Sequence, residues 1–120
     1  MMTLSESVKI LNLFFNKFCP AYINDIIPNN AIFPYLTYSV EIPNFEEEGN
    51  IIVRIYNKGS GLIPLFEIAD LINLEIREEG TVIGNEEGMI YLTKGSPFCQ
   101  VVTDDLNNAS LYINLTIQVA

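Results

Sequence analysis

Two segments of the chain alternate between apolar and polar residues with a period of two. The apolar positions are Leu36, Tyr38, Val40 and Ile42 in the first segment and Leu111, Ile113, Leu115, Ile117 and Val119 in the second. This alternation is typical of strands that bury one face and leave the other face outside the core. The chain must therefore build a sheet with one covered face. Pro34 lacks an amide donor, so it marks the entrance of the first strand or an edge.

Two other segments have the helical spacing that can cover such a sheet. Residues 4–18 carry an apolar stripe, formed by Leu4, Val8, Leu11, Phe15 and Phe18 and widened by Ile10 and Phe14. Thr3 or Ser5 can cap the start of this helix, and Pro20 prevents its continuation. A second helix is predicted from Pro64 to about Glu78. Its buried face is formed by Leu65, Ile68, Ala69, Ile72 and Ile76.

The remaining segments complete a small α+β domain. Residues 51–56 are apolar on both faces, which indicates a central strand or one that is covered on both sides. Residues 80–88 are predicted as a charged, glycine-rich loop, and residues 89–93 and 97–103 as two strands joined around residues 94–96. The order α-β-β-α-β-β-β predicts a mostly antiparallel β-sheet packed against two helices. Because 49% of the 120 residues are hydrophobic, we expect residues 1–120 to form a single domain with its own core.

The charge of the chain excludes some classes of partner. Fifteen acidic and six basic residues give a net charge of −9, so we expect no stable binding to nucleic acid and none to an anionic membrane. The apolar run near the N-terminus is interrupted by Lys9 and Lys17 and is shorter than the roughly 20 apolar residues that span a bilayer. Cys19 and Cys99 are expected to be buried or half-buried thiols in a reducing compartment. We therefore expect a soluble, cytosolic chain.

The sequence offers little material for catalysis. It contains no histidine, which excludes Ser-His-Asp and Cys-His arrangements and histidine metal sites. Three acidic pairs occur, Glu78-Glu79, Glu86-Glu87 and Asp104-Asp105. Neighbours in one loop do not converge on a pocket, so we expect no enzyme activity, no bound metal and no cofactor. The loop at residues 59–61 lies between a strand and a helix, but the lack of a following Lys-Ser/Thr favours a plain turn over a phosphate site.

Two groups of residues are candidates for a function in binding. Glu46, Glu47 and Glu48 lie in a long acidic connection between two strands, and they form either a solvated tip or a functional acidic projection. The polar face of the last strand consists of Tyr112, Asn114, Thr116 and Gln118. Charged residues normally protect an exposed strand from pairing with other chains. A neutral, amide-rich face is therefore predicted to meet another subunit.

The layout of the whole chain resembles a known protein family. Phe33-Pro34-Tyr35 opens an alternating strand after an N-terminal helix and a proline-rich link, and a helix follows the second strand. A predicted hairpin at Gly95-Ser96-Pro97 precedes the strand that closes the chain. In order and length, these features are similar to the small tail-terminator, or tail-completion, proteins of tailed bacteriophages and phage-derived tail particles.

The resemblance implies a structural role without catalytic residues. Members of the family form hexameric rings that cap the head-proximal end of the tail tube, end its polymerisation and join the tail to the neck. The implied partners are other copies of the chain, the tail tube protein, a neck or head-completion protein and, in contractile tails, the sheath. The implied location is the virion tail or a phage-like particle, assembled in the bacterial cytoplasm. In such a ring Glu46, Glu47 and Glu48 would face the lumen or the tube, and an acidic channel would let DNA pass without adhering.

Three other interpretations of the sequence remain open. The first is another ring-forming subunit of the neck or tail connector, since the same size and layout suit it. The second is a small cytosolic ligand-binding module that uses the loop at residues 59–61. The third is an enzyme that uses the paired carboxylates.

Overall fold

The structure, a computed structural model, describes residues 3–24, 26–41, 47–59, 61–86, 88–103 and 108–119. In chain order its elements are α1 (Leu4–Phe15), β1 (Ala21–Ile23), β2 (Tyr35–Glu41), β3 (Gly49–Tyr56), α2 (Ile63–Ile76), β4 (Thr81–Asn85), β5 (Gly88–Thr103) and β6 (Ala109–Val119). The six strands form one sheet in the order β1-β2-β3-β6-β5-β4. Only the pairing of β1 with β2 is parallel. The predicted α+β fold, with a mostly antiparallel sheet and two helices, is confirmed.

Both helices begin where local chemistry favours it. Thr3 caps α1 through a capping box, because its hydroxyl accepts from the amide of Glu6 at 3.2 Å and its amide donates to the Glu6 carboxylate at 2.7 Å. Pro64 occupies the first turn of α2, where its missing amide proton costs nothing. Helix α1 ends at Phe15, three residues before the predicted end. Neither helix in the described ranges is long and apolar enough to cross a membrane.

One hydrophobic core joins the two helices to a single face of the sheet. It contains the apolar positions of α1 and α2 together with alternate residues of β2, β3 and β6. Strand β3 lies between β2 and β6 and is central, as predicted. Its residues Ile51, Val53 and Ile55 are fully buried, whereas Ile52 on its other face is exposed. The helices therefore cover one face, and the opposite face of β2, β3 and β6, here called the open face, carries the polar residues.

Two predicted features of the C-terminal half are wrong. Residues 94–96 do not form a hairpin, because β5 runs through them as one strand of 16 residues. Strand β6 pairs with β5 on both sides of a register shift between Lys94 and Cys99, so the glycine and proline signals mark a bulge instead of a turn. Residues 81–85, predicted within a loop, form the edge strand β4. The last strand, β6, lies inside the sheet between β3 and β5.

Both cysteines are half-buried, but the causes that raise the pKa differ between the two thiols, and we predict that they differ in reactivity. Both are free thiols. Burial raises the pKa of Cys19 to about 12, whereas the pKa of Cys99 is raised by burial and by the nearby Asp70 carboxylate. The thiolate is the reactive form. In the Cys99→Ala variant at pH 8, the remaining Cys19 should react with a disulfide reagent roughly a thousandfold more slowly than the same thiol in urea-unfolded protein.

The dependence of the reaction rate on pH tests whether the slow reaction of Cys19 comes from its raised pKa. For Cys19 the rate should keep rising with pH up to about pH 12, while the rate for the unfolded thiol levels off above its ordinary pKa of about 8.5. The Cys19→Ala variant reports Cys99 as the matched control. Equal rates for Cys19 in folded and unfolded protein would contradict its burial.

Candidate functional site

The open face of the sheet brings together residues from three strands. Cross-strand pairing places Arg54 of β3 between Thr37 of β2 and Tyr112 of β6. Tyr56, two residues further along β3, pairs with Tyr35 and Ser110. Because side chains alternate along a strand, all of these residues point away from the helices. They come from segments far apart in the sequence, and the sheet register alone brings them together.

Arg54 is held rigidly at the centre of this group. Its guanidinium carbon lies 4.6 Å from the ring centre of Tyr56 and 5.0 Å from that of Tyr112. Its Nε donates to the Ser110 hydroxyl at 3.2 Å, and that hydroxyl donates to the Val102 carbonyl, also at 3.2 Å. Aromatic faces attract a cation, and the planar guanidinium stacks on them well. The charge therefore has a fixed position.

A row of aromatic rings extends from Arg54 towards β1. Tyr56 stacks on Tyr35 with ring centres 5.1 Å apart, and Phe33 lies 5.0 Å from Tyr35. Tyr22 of β1 meets Tyr35 edge to face at 5.9 Å. These contacts fix Tyr56 and therefore one side of the arginine. Phe33, at the outer end of the row, is exposed.

A concavity of about 360 Å³ lies over Arg54. The neutral polar side chains around it come from Asn24, Thr37, Ser39, Gln100 and Asn114. Among the described residues that line it, Arg54 alone is charged, and Arg54 has no carboxylate partner among the described residues. The guanidinium stays protonated at physiological pH. The arrangement is therefore suited to binding an anionic group and not to transferring a proton.

The predicted interface residues of β6 share the open face, and all four have contacts within the chain. The side-chain amide of Asn114 donates to the Pro97 carbonyl at 2.8 Å, where it helps to hold the bulge of β5. The Thr116 hydroxyl is hydrogen-bonded to that of Thr93, and Tyr112 stacks on Arg54. Gln118 is exposed. The role of these four residues at a subunit interface stays a prediction.

The predicted acidic projection is described only in part. Glu46 lies outside the described residues, while Glu47 and Glu48 are exposed just before β3. Glu41, at the end of β2, is also exposed, and it pairs with Asn50 at the start of β3. The acidic residues therefore lie at the opposite end of β3 from Arg54. Their position in a lumen or against a tube stays a prediction.

The backbone of the glycine loop is already engaged inside the chain. The Gly59 amide donates to the side chain of Asn108 at 3.0 Å, and the Gly59 carbonyl accepts from Ala109 at 2.9 Å. The Gly61 carbonyl accepts from the side chain of Asn57 at 2.9 Å. A phosphate site needs backbone amides that point outwards. The Gly59 amide does not meet this need, which supports the interpretation as a turn.

The acidic pairs are only partly within the described chain. Glu78, Glu79 and Glu86 are exposed, while Glu87 and the pair Asp104-Asp105 lie outside the described residues. Where side chains are described, no group of three His, Cys, Asp or Glu residues could hold a metal ion. The described carboxylates of these pairs do not converge with Arg54, because none of them lines its concavity.

Sequence reasoning did not identify Arg54 as a functional residue. The available signal was a lone arginine in an otherwise apolar central strand, followed two residues later by a tyrosine. Its second aromatic neighbour, Tyr112, becomes visible only through the pairing of β3 with β6.

Comparison of the chain with protein-family models, with curated proteins and with solved structures finds no significant match. Its function must therefore be argued from the molecule's own surfaces.

Proposed function

We propose that this chain is a structural assembly subunit that forms a ring on the head-proximal end of a phage or phage-like tail tube. The ring ends polymerisation of the tube and joins the tail to the neck. Its partners are other copies of the chain, the tail tube protein and a neck protein. The α+β layout supports this role, since an N-terminal helix, a strand that opens after Phe33-Pro34 and a helix between two groups of strands belong to the layout on which the resemblance to tail-terminator proteins rests. The hairpin at residues 95–97, another part of that layout, is replaced by the bulge of β5.

The observation that carries the proposal is the outward surface of α2. Ile63 and Leu74 are 71% and 72% exposed, and Phe66 and Leu71 are exposed beside them. Residues 63 and 74 are eleven positions apart, so they lie on the same side of a helix with about 3.6 residues per turn. Large apolar side chains grouped on a surface mark contacts with other proteins. Glu67 and Asp70 are exposed on the same side of the helix, so this outward surface combines large apolar side chains with carboxylates. An apolar centre with polar residues around it is the usual composition of a contact between subunits.

Native mass spectrometry of the purified protein, alone and mixed with the tail tube protein, tests this proposal. We expect a hexamer, either alone or at the end of the tube. The same subunit could serve in the neck connector, and a hexamer that binds a neck protein but never the tube would identify that role. A chain that stays monomeric in both conditions would contradict the proposal.

A substitution in α2 tests the surface that carries it. Leu74→Glu should weaken ring formation by about tenfold or more, because a charge replaces a side chain that we place in a contact. Leu13→Glu is the matched control, since Leu13 is 74% exposed on the other helix. Equal effects of the two changes would show that the outward surface of α2 has no special part in assembly.

A further inference from the structure

The open face carries opposite charges at its two ends. Arg54 lies at one end, beside Thr37, and Glu41 lies at the other, beside Asn50. Glu41 shares the side of β2 that carries Thr37 and Ser39, because side chains two positions apart in a strand point to the same face. Glu47 and Glu48 add negative charge near the same end. Thr37 and Glu41 are four positions apart in β2, so the two ends are separated by about 13 Å.

The Arg54 guanidinium and the Glu41 carboxylate do not form an ion pair within one chain. The guanidinium of Arg54 is held by Ser110, Tyr56 and Tyr112. Ser110 and Tyr112 lie on β6, on the opposite side of β3 from β2, and Tyr56 lies further along β3 from the Glu41 end of the face. The ion pair found among the described residues, between Lys17 and Glu75, is elsewhere. The terminal nitrogens of Arg54 have no hydrogen-bond acceptor in the described part of the chain. Within the described ranges, a fixed cation thus faces a concavity without a counter-ion.

The concavity is suited to one carboxylate. A guanidinium presents parallel N–H donors that match the two oxygens of a carboxylate. The remaining described lining is neutral, whereas phosphate sites usually combine several cations or a helix N-terminus. Because the aromatic rings and Ser110 already hold the side chain, little conformational entropy is lost on binding. The site therefore favours a singly charged planar anion.

We propose that the Arg54 concavity binds the Glu41 carboxylate of a neighbouring copy of this chain. The proposal rests on the ring proposed above and names a contact within it. One end of the open face meets the opposite end of the next copy, so the contact is heterologous, the type that closes into a ring when the rotation is right. Local charge complementarity favours this occupant, since the Glu41 carboxylate is exposed on the same face that carries the guanidinium of Arg54, which is unpaired among the described residues.

Charge reversal and exchange test the contact. We expect Arg54→Glu and Glu41→Lys each to weaken the ring by about tenfold or more, measured as the dissociation constant by sedimentation or native mass spectrometry. The double variant Arg54→Glu/Glu41→Lys should recover to within a few-fold of the parent. Lys9→Glu is the matched control, because Lys9 is exposed on α1, away from the open face and from the outward surface of α2, and it undergoes the same change of charge. Arg54→Gln replaces Arg54→Glu if the latter does not fold, as judged by circular dichroism.

The outcomes separate this inference from the proposed function. A parent ring that both single variants leave intact overturns the inference and leaves the ring standing. Single variants that weaken the ring without recovery in the double variant also overturn the pairing. A parent chain that never oligomerises overturns both proposals. Thermal stabilisation by millimolar free glutamate that is lost in Arg54→Gln, with no effect of Arg54→Gln on the ring, would identify a small carboxylic acid as the occupant and overturn the contact between copies.

Discussion

Replacement of Phe15 by alanine should lower the free energy of unfolding by about 3–5 kcal/mol. Phe15 is fully buried at the end of α1. Its ring lies 4.8 Å from that of Tyr38 on β2 and 5.2 Å from that of Phe14, measured between ring centres. Removal of the ring leaves a cavity where α1 meets the sheet. Natural domains have a total stability of about 5–15 kcal/mol, so we expect the variant to be close to unfolding at 37 °C.

Leu13→Ala is the control for this prediction. Leu13 lies two residues earlier in the same helix, and it is exposed. Its replacement should change the free energy of unfolding by no more than about 0.5 kcal/mol. Urea titrations of both variants, followed by circular dichroism, measure the difference. If the free energy of unfolding falls by the same small amount in both variants, α1 does not pack on the sheet through Phe15.

The elements that could be predicted from the sequence are those with a long periodic pattern. Helix α1, strand β6 and the central strand β3 each repeat a helical or a strand period over many residues, and the structure confirms all three. Periodicity works here because one sheet face is buried, so every second residue of each of these strands is apolar. The same reasoning placed Tyr112, Asn114, Thr116 and Gln118 on a common face, which the structure also shows.

The elements that could not be predicted depend on pairing with distant segments. Strand β1 is only three residues long and forms by pairing with β2. Strand β5 runs through Gly95, Ser96 and Pro97, which locally favour a turn, because β6 pairs with it on both sides. Gly95 allows this close approach, since a Cβ there would lie 2.9 Å from the Asn114 carbonyl oxygen. Tertiary pairing overrides local turn chemistry at this point.

The candidate site was hidden for a related reason. Arg54 and Ser110 are 56 positions apart, and they meet only because β3 pairs with β6 in one register. A shift of that register by one residue would turn Tyr112 and Ser110 towards the core. The apolar face of β6 fixes the register by burial, so the core indirectly positions the arginine. Sequence patterns reveal the buried face directly, but they do not show which polar residues will be neighbours on the open face.

Gly80→Ala should destabilise the protein more than Gly59→Ala, although both glycines have a positive φ. Gly80 is buried between α2 and β4, and its φ of +89° lies in the left-handed region. A Cβ at this position would lie 2.8 Å from the Leu92 carbonyl oxygen and equally close to side-chain atoms of Tyr91 and Thr93. The backbone conformation costs an alanine roughly 1–2 kcal/mol. The contacts with β5 add about 1–3 kcal/mol, since the backbone oxygen of Leu92 can move only with the strand.

Gly59→Ala separates the two costs of that change. Gly59 has nearly the same φ, +86°, but a Cβ there would have no atom within 4 Å. Its replacement should therefore cost only the conformational part, roughly 1–2 kcal/mol. Urea unfolding of both variants gives the difference between their losses of unfolding free energy. We assign this difference to the packing of Gly80, the residue before β4, against β5. Equal losses would mean that β5 yields to the added methyl group without strain, and the close packing of Gly80 on Leu92 would then be wrong.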